Sequence, residues 1–308
     1  NGEIVFSIEE ERLSRRKYDG GPYASMIKIL EYTDHLDYLV VAHTQSLDET
    51  AGRVDFSGDD IYTGIARKLG LIDRHNLETP HPQVIDLSYM HHKLHAACAF
   101  YRSGFESATA VIVDGAGTFI PLNMGNETTI GWETESVFEC SYPANIDTIY
   151  KHIGTRGPHP GAIIDTQEDD RTYKTVISDR AGIVKAYESV TQYCGFSAIE
   201  AGKTMGLFPY GKENNKFPKL FEQNTKYPLT NRNIIVPTYP NAGVVNSFLY
   251  EELEDFDNQD LTTLQNRRDM AYAVQTETQE EVAKLIKRAV ELSGNKNVVI
   301  SGGYGLNC

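Results

Sequence analysis

Cysteine is scarce in this sequence. The chain has four cysteines in 308 residues, widely separated and without a CxxC pair: Cys98, Cys140, Cys194 and Cys308. Two of them, Cys98 and Cys194, fall in apolar helical contexts, which is typical of buried free thiols in a reducing cytoplasm. The spacing argues against a disulfide framework and against a cysteine zinc site.

Long apolar runs and an excess of positive charge are also missing. No run approaches the roughly 20 residues of a membrane helix, and the first residues resemble neither a signal peptide nor a targeting segment. We therefore expect a cytoplasmic protein without a membrane span. Lys and Arg number 29 against 43 Asp and Glu, for a net charge of −14. This balance argues against duplex nucleic acid as a partner, although it does not exclude a local basic pocket.

The common nucleotide and hydrolase motifs are absent as well. The sequence contains no GxxxxGK[ST] loop, no GxGxxG after a strand and no GxSxG elbow. The chain starts at Asn1 without an initiator Met, and it stops at Cys308 directly after a strand and a Gly-Gly turn. We expect it to be a piece of a longer protein, truncated at both ends.

Short apolar strands alternate with helices up to Asp114, which indicates an α/β fold. Within this part, His91 and His95 are four residues apart, so they share one face of a helix. That spacing suits two imidazole ligands of one metal ion. His92 lies on a different face and is either an acid–base group, a hydrogen-bond donor to substrate or a packed core imidazole.

A second candidate feature follows the same helix. The apolar strand Ala110–Val113 leads into Asp114, and Gly115 and Gly117 allow close approach to the backbone. Asp114 has two functional interpretations, as a ligand of a metal or its water, or as part of a phosphate-binding loop. A simple strand exit with a capping Asp is the structural alternative. A metal pair and a phosphate loop so close together indicate chemistry on a nucleotide or an acyl phosphate.

Two further glycine-rich segments are candidate ligand loops. Residues 200–211 contain three glycines and Lys203, which predicts a loop whose backbone and ammonium approach a ligand, or else a structural turn. Gly302 and Gly303, with Asn307 nearby, would form a wall against which a nucleotide rests.

Other segments complete the expected organisation. We predict a strand over Ile4–Ile8, a long loop or insertion over Arg156–Arg180, and a polar surface subdomain over residues 212–264. Arg268–Leu292 shows the longest helical periodicity, with one apolar stripe.

Taken together, these motifs resemble one family. The segments His91–Ala97, Asp114–Gly117, Gly202–Gly211 and Ser301–Cys308 are similar to the O-carbamoyltransferases of nodulation-factor, cephalosporin and tobramycin carbamoylation. The resemblance implies an actin/sugar-kinase-like fold with ribonuclease-H-like halves, related to the tRNA threonylcarbamoyl-transfer domain. Residues 1–118 would form the first half and residues 119–308 the second. A YrdC-like domain in the same full-length chain would make carbamoyl adenylate from carbamoyl phosphate and ATP.

The resemblance also implies site roles. His91 and His95 would bind a divalent metal (Fe, Zn or Mn), and His92 and Lys203 would be catalytic. The residues expected around the nucleotide are Asp114, Gly115, Gly117, Lys203, Gly302, Gly303 and Asn307. The family's further metal-binding Asp is expected beyond Cys308.

Departures from the family pattern leave the acceptor open. Phe208 and Tyr304 replace smaller residues, which could reshape the acceptor or base pocket. The acceptor hydroxyl belongs to a small molecule or a nucleotide, and a homodimer is left open. Two other functions are alternatives. The first is an ATP-dependent kinase or ATPase of the same superfold, which would not need the His pair. The second is a non-catalytic nucleotide-binding module.

Overall fold

The computed structural model divides the chain into two compact units, Asn1–Tyr89 and Met90–Cys308. It describes residues 3–44, 59–76, 79–124, 127–155, 161–178, 182–217, 219–222, 233–234 and 264–307. Both units mix helices and strands, so the predicted α/β class is confirmed at that level. The actin-like superfold and the boundary at residue 118 stay predictions. Most of the predicted surface subdomain lies outside the described residues, as does Cys308.

The first unit is small. Its elements are α1 (Glu10–Ser14), α2 (Tyr23–Ile29), β1 (Leu39–Val41), α3 (Ile61–Lys68) and β2 (Val84–Asp86). The strands β1 and β2 pair in parallel. Asp60 caps α3, because its carboxylate accepts the backbone N–H groups of Tyr62 and Thr63. The predicted strand over Ile4–Ile8 is wrong, since residues 3–9 form neither helix nor strand.

The second unit contains a large mixed sheet. Its elements are α4 (His91–Ser103), β3 (Ser107–Val113), β4 (Phe119–Met124), β5 (Glu127–Ser141), β6 (Asn145–Thr155), β7 (Ala162–Glu168), β8 (Arg171–Ser178), α5 (Ile183–Tyr193), α6 (Ala201–Leu207), β9 (Phe221–Glu222), β10 (Asn233–Ile234), α7 (Leu264–Ser293) and β11 (Val298–Ser301). Seven strands pair in the order β11-β3-β5-β6-β8-β7, with β4 also paired to β5. The β11–β3 and β6–β8 pairs are parallel, and the other pairs of this sheet are antiparallel.

Strand β3 is buried on both faces, which explains its uninterrupted apolar sequence. Successive side chains of a strand point to opposite sides. Ala110 and Ile112 therefore pack with the α4 side chains Ala96 and Phe100. Residues of α5 and α7 pack in the same apolar cluster as Val111. The carboxyl end of β3 is consequently held between helices on both faces of the sheet.

Two predicted loops are regular structure. The region assigned to a loop over Arg156–Arg180 contains the β7–β8 hairpin, whose turn holds Asp169 at a φ of 53°. Asp tolerates this left-handed conformation better than most residues, so the Asp-rich stretch marks the turn of the hairpin. Residues 201–207 form helix α6, preceded by a capping box between Ser197 and Glu200.

Candidate metal and ligand site

The candidate site lies at the carboxyl end of β3, beside the start of α4. The N–H of His91, the first residue of α4, donates to the Thr118 hydroxyl at 3.2 Å. On the other side, β11 pairs in parallel with β3, which places the turn after Ser301 next to Asp114. There the Gly303 N–H donates to Asp114 Oδ1 at 2.8 Å. Three separate segments thus meet at one carboxylate.

His91, His95 and Asp114 converge on one point. Asp114 Oδ2 lies 3.3 Å from His91 Nε2 and 3.7 Å from His95 Nε2. The two imidazole Nε2 atoms are 3.2 Å apart. Ligands about 2.1 Å from a common ion, at tetrahedral or octahedral angles, lie roughly 3.0–3.4 Å from one another. Two of the three separations fall in this range, and the third, 3.7 Å between Asp114 Oδ2 and His95 Nε2, is slightly longer. The donor set is suited to a divalent metal held by two imidazoles and one carboxylate.

The surroundings of these side chains favour their ligand forms. Burial by itself raises the pKa of the Asp114 carboxyl, but hydrogen bonds from His91 and the Gly303 N–H hold that pKa well below its usual value. Burial lowers the pKa of His95. The His95 Nδ1 lies 3.4 Å from the Ser301 hydroxyl. If Nδ1 donates to this hydroxyl, Nε2 keeps the lone pair that a metal requires.

A buried ion pair supports the loop after Asp114. Glu133 is 1% exposed, and its Oε2 accepts the Thr118 N–H at 3.0 Å. Its other carboxylate oxygen pairs with the ammonium of Lys151. Since Thr118 in turn accepts the first N–H of α4, the pair fixes the position of His91 through one intermediate residue.

His92 lies inside the core. Its side chain is fully buried, its Nδ1 is 2.8 Å from the Ser136 hydroxyl, and its Cδ2 and Nε2 atoms would each lie 2.5 Å from a Cβ placed on Gly117. Contact between this imidazole and substrate would require the Gly117 loop to move. The catalytic role of His92 stays a prediction, and its packing matches the core alternative that the sequence left open.

Burial of His92 predicts a pH dependence of stability. Burial lowers its pKa from 6.5 to about 4. Below pH 6.5 the His92 imidazole binds a proton in the unfolded chain but stays neutral in the folded chain. The free energy of unfolding should therefore fall by up to about 3 kcal/mol as the pH falls toward 4. Urea denaturation between pH 7 and 4.5, with a chelator present, measures this slope. His92→Gln should flatten it, whereas His35→Gln, at an exposed histidine, should not; equal slopes in all three proteins would contradict the assignment.

Close packing requires glycine at two positions of the site, 117 and 302. A Cβ on Gly117 would lie 2.5 Å from the His92 ring, and one on Gly302 would lie 2.4 Å from the Val113 carbonyl oxygen. Gly302 also has a φ of 92°. A Cβ on Gly115 would lie 3.0 Å from Glu188 Oε1. The nucleotide-binding roles of these glycines stay predictions, and packing accounts for the residue type at positions 117 and 302.

The structure gives the two other predicted site residues different surroundings. Lys203, on α6, is 54% exposed, pairs with Glu200 and lies 5.5 Å from the centre of the Phe196 ring. Asn307 exchanges two amide hydrogen bonds with Gln275 of α7, at 3.0 and 3.2 Å. None of these contacts joins Lys203 or Asn307 to the His–Asp cluster, which consists of His91, His95 and Asp114. Their nucleotide contacts stay predictions.

Four residues at the site escaped the sequence analysis: Ser301, Glu133, Lys185 and Glu188. Ser301 ends β11, and Glu133 lies in β5, where its contact with Lys151 depends on the register between β5 and β6. Lys185 and Glu188 carried the one usable signal. They place opposite charges three residues apart on a helix that otherwise has no charged residue, on a face that the packing buries.

Among the described helices, none combines the length and apolar character needed to cross a membrane. Two relatives are similar over the whole chain. An uncharacterized protein of Synechocystis sp. is 23% identical over an alignment of 343 positions, which covers 100% of this chain and 48% of the relative. Nodulation protein NolNO of Sinorhizobium fredii is 23% identical over 317 residues, covering 100% of this chain and 40% of the relative. The chain therefore spans less than half the length of these curated relatives.

A family model agrees with the resemblance found in the motifs. The model described as carbamoyltransferase N-terminus matches residues 37–308, a region that includes the His–Asp cluster and the Gly302–Gly303 turn. We conclude that this chain belongs to the carbamoyltransferase N-terminus family.

Proposed function

We propose that this chain is the part of an O-carbamoyltransferase that moves a carbamoyl group onto an acceptor hydroxyl. Family membership supports carbamoyl transfer in general. The observation that carries the finer proposal is the convergence of His91, His95 and Asp114 beside the Gly303 backbone. We propose carbamoyl adenylate, made from carbamoyl phosphate and ATP by a YrdC-like domain of the full-length protein, as the donor.

The residues divide the work as follows. His91, His95 and Asp114 would hold the divalent metal, which when bound supplies a Lewis acid for the carbamoyl carbonyl or the phosphate. The Gly303 N–H keeps the Asp114 carboxylate in place, and Glu133 with Lys151 keeps the start of α4 in place. In the transfer, a bond forms between the acceptor oxygen and the carbamoyl carbon. The bond from that carbon to the phosphate oxygen breaks, AMP leaves with the electron pair, and the acceptor proton passes to a base.

The proposal is tested with the full-length protein. It is incubated with ATP, labelled carbamoyl phosphate and a panel of hydroxyl compounds that includes sugars, aminoglycosides and nucleosides. Transfer predicts label from the carbamoyl carbon in one acceptor, with AMP, pyrophosphate and inorganic phosphate formed in equal amounts. Phosphate transfer from ATP to the acceptor, without labelled product, would instead support a kinase of the same superfold.

The His pair separates these outcomes further. His91→Ala should abolish carbamoyl transfer, whereas a kinase that does not use the cluster should keep its phosphate transfer. Nucleotide binding without turnover on any acceptor, and without carbamoyl adenylate, would favour a non-catalytic module and would overturn the proposal.

A further inference from the structure

A buried ion pair faces the site from helix α5. The Lys185 ammonium lies 3.0 and 2.8 Å from the two carboxylate oxygens of Glu188. Their side chains are only 9% and 19% exposed. The pair Lys28–Glu31 has the same order and spacing, but its side chains are 30% and 61% exposed. Lysine is rarely this buried, because removing an ammonium from water is costly even when it is paired.

The pair lies directly against the loop that follows the metal-binding carboxylate. A Cβ placed on Gly115 would be 3.0 Å from Glu188 Oε1 and 3.8 Å from Lys185 Nζ. A side chain at position 115 would therefore crowd the Glu188 carboxylate, which would have to shift by a few tenths of an ångström. Lys185 and Glu188 therefore form the wall of the site that faces Gly115, next to Asp114.

The start of α5 is fixed to the sheet. The N–H of Ile183 donates to the carboxylate of Glu135 at 2.7 Å, and Glu135 is fully buried in strand β5. His152 Nδ1 lies 2.7 Å from the other oxygen of the same carboxylate. Lys185 is two residues beyond this anchor. Its backbone position is therefore set by buried hydrogen bonds, which suits a side chain that must meet a ligand.

The geometry points to Lys185, oriented by Glu188, as a phosphate-binding residue for the anionic carbamoyl donor at the Asp114–Gly117 loop. Protein kinases also use a glutamate to hold a lysine whose ammonium meets nucleotide phosphates, although there the lysine lies on a strand and the glutamate on a helix. Gly115 and Gly117 let a phosphate come close to the backbone. Lys185 supplies a positive charge, which offsets the repulsion between the phosphate and the carboxylates of Asp114 and Glu188. This inference rests on the proposed function, since it assumes a nucleotide donor.

Binding of AMP and of adenosine to the full-length protein, with Mn²⁺ in excess, tests the inference by calorimetry. Lys185→Met should weaken AMP binding at least about 10-fold, the loss expected for one charge-assisted contact. Adenosine, which has no phosphate, should bind the variant as it binds the wild type. Lys28→Met, at the exposed pair of identical spacing, should bind both compounds like the wild type.

Two more variants guard against a purely structural effect. Burial raises the pKa of Glu188, an effect that Lys185 opposes, so Glu188 can take up a proton in Lys185→Met instead of remaining an unpaired charge. Lys185→Arg should recover most of the AMP affinity, because it restores the positive charge. Glu188→Gln should weaken AMP binding less than Lys185→Met does, because the ammonium remains but loses its orientation.

The outcomes distinguish this inference from the proposed function. Wild-type binding of AMP with unchanged binding in Lys185→Met would overturn the inference alone, as would equal losses of AMP and adenosine. A wild-type protein that binds neither compound would overturn both the inference and the nucleotide donor of the proposed function.

Discussion

Asp114→Asn is expected to abolish binding of the proposed divalent metal and, with it, the proposed carbamoyl transfer. The carboxylate is the only anionic member of the His–Asp cluster, and it touches both imidazoles. Replacement of an outer-shell partner costs about 10- to 100-fold in metal affinity. Loss of the charged ligand itself should exceed that range. Metal content after gel filtration, measured by mass spectrometry for Fe, Zn and Mn, gives the result directly.

Asp269 offers a matched control for this variant. It is also a buried aspartate, 2% exposed, and it accepts hydrogen bonds from the Lys212 N–H and the Asn214 amide. Asp269→Asn should keep the metal, even if its stability falls. Retention of one metal per chain by Asp114→Asn, at wild-type affinity, would remove Asp114 from the ligand set.

Lys151→Met should destabilise the protein by about 3–5 kcal/mol, the usual cost of leaving a buried charge without its partner. Glu133 would remain in the core with one carboxylate oxygen still bonded to the Thr118 N–H. Because Thr118 also accepts the His91 N–H, metal affinity should fall together with stability. The free energy of unfolding from urea titration near neutral pH gives the magnitude.

A double variant isolates the charge effect. Adding Glu133→Gln to Lys151→Met removes the orphaned charge and keeps a similar shape, so the double variant should be more stable than Lys151→Met alone. Lys174→Met, which breaks an exposed strand pair with Asp165, should cost less than about 1 kcal/mol. The single variant Glu133→Gln completes the comparison. If the double variant lost as much free energy of unfolding as the two single variants together, Glu133 and Lys151 would act independently.

Local periodicity was enough to single out the candidate residues His91, His95 and Asp114. Two histidines four residues apart on a helix face the same way, and the residue that follows a buried strand lies at the edge of the sheet. His91, His95 and Asp114 could therefore be singled out, although their metal role stays a prediction. The helix over α7 and the strand β11 followed from the same reasoning.

The rest of the site depends on contacts that no local pattern contains. Lys151 reaches Glu133 because β5 and β6 pair in a register set by the whole sheet, including irregularities near Glu133 and Val137. The hairpin inside the predicted loop over Arg156–Arg180 was missed because turn residues outweighed a short alternation of exposed and buried positions. The helix over residues 201–207 was missed because glycines at 202 and 206 disfavour helix intrinsically, while packing on α5 and α7 stabilises it.

The hydrogen bond between the Gly303 N–H and Asp114 joins residues 189 positions apart. At typical translation rates of about 5–20 residues per second, roughly 10–40 s separate the synthesis of its two ends. During that interval the emerging polypeptide has Asp114 without the strand that later backs it. Formation of this hydrogen bond should thus be a late event in biosynthesis, and β3 keeps an open edge until β11 has been made.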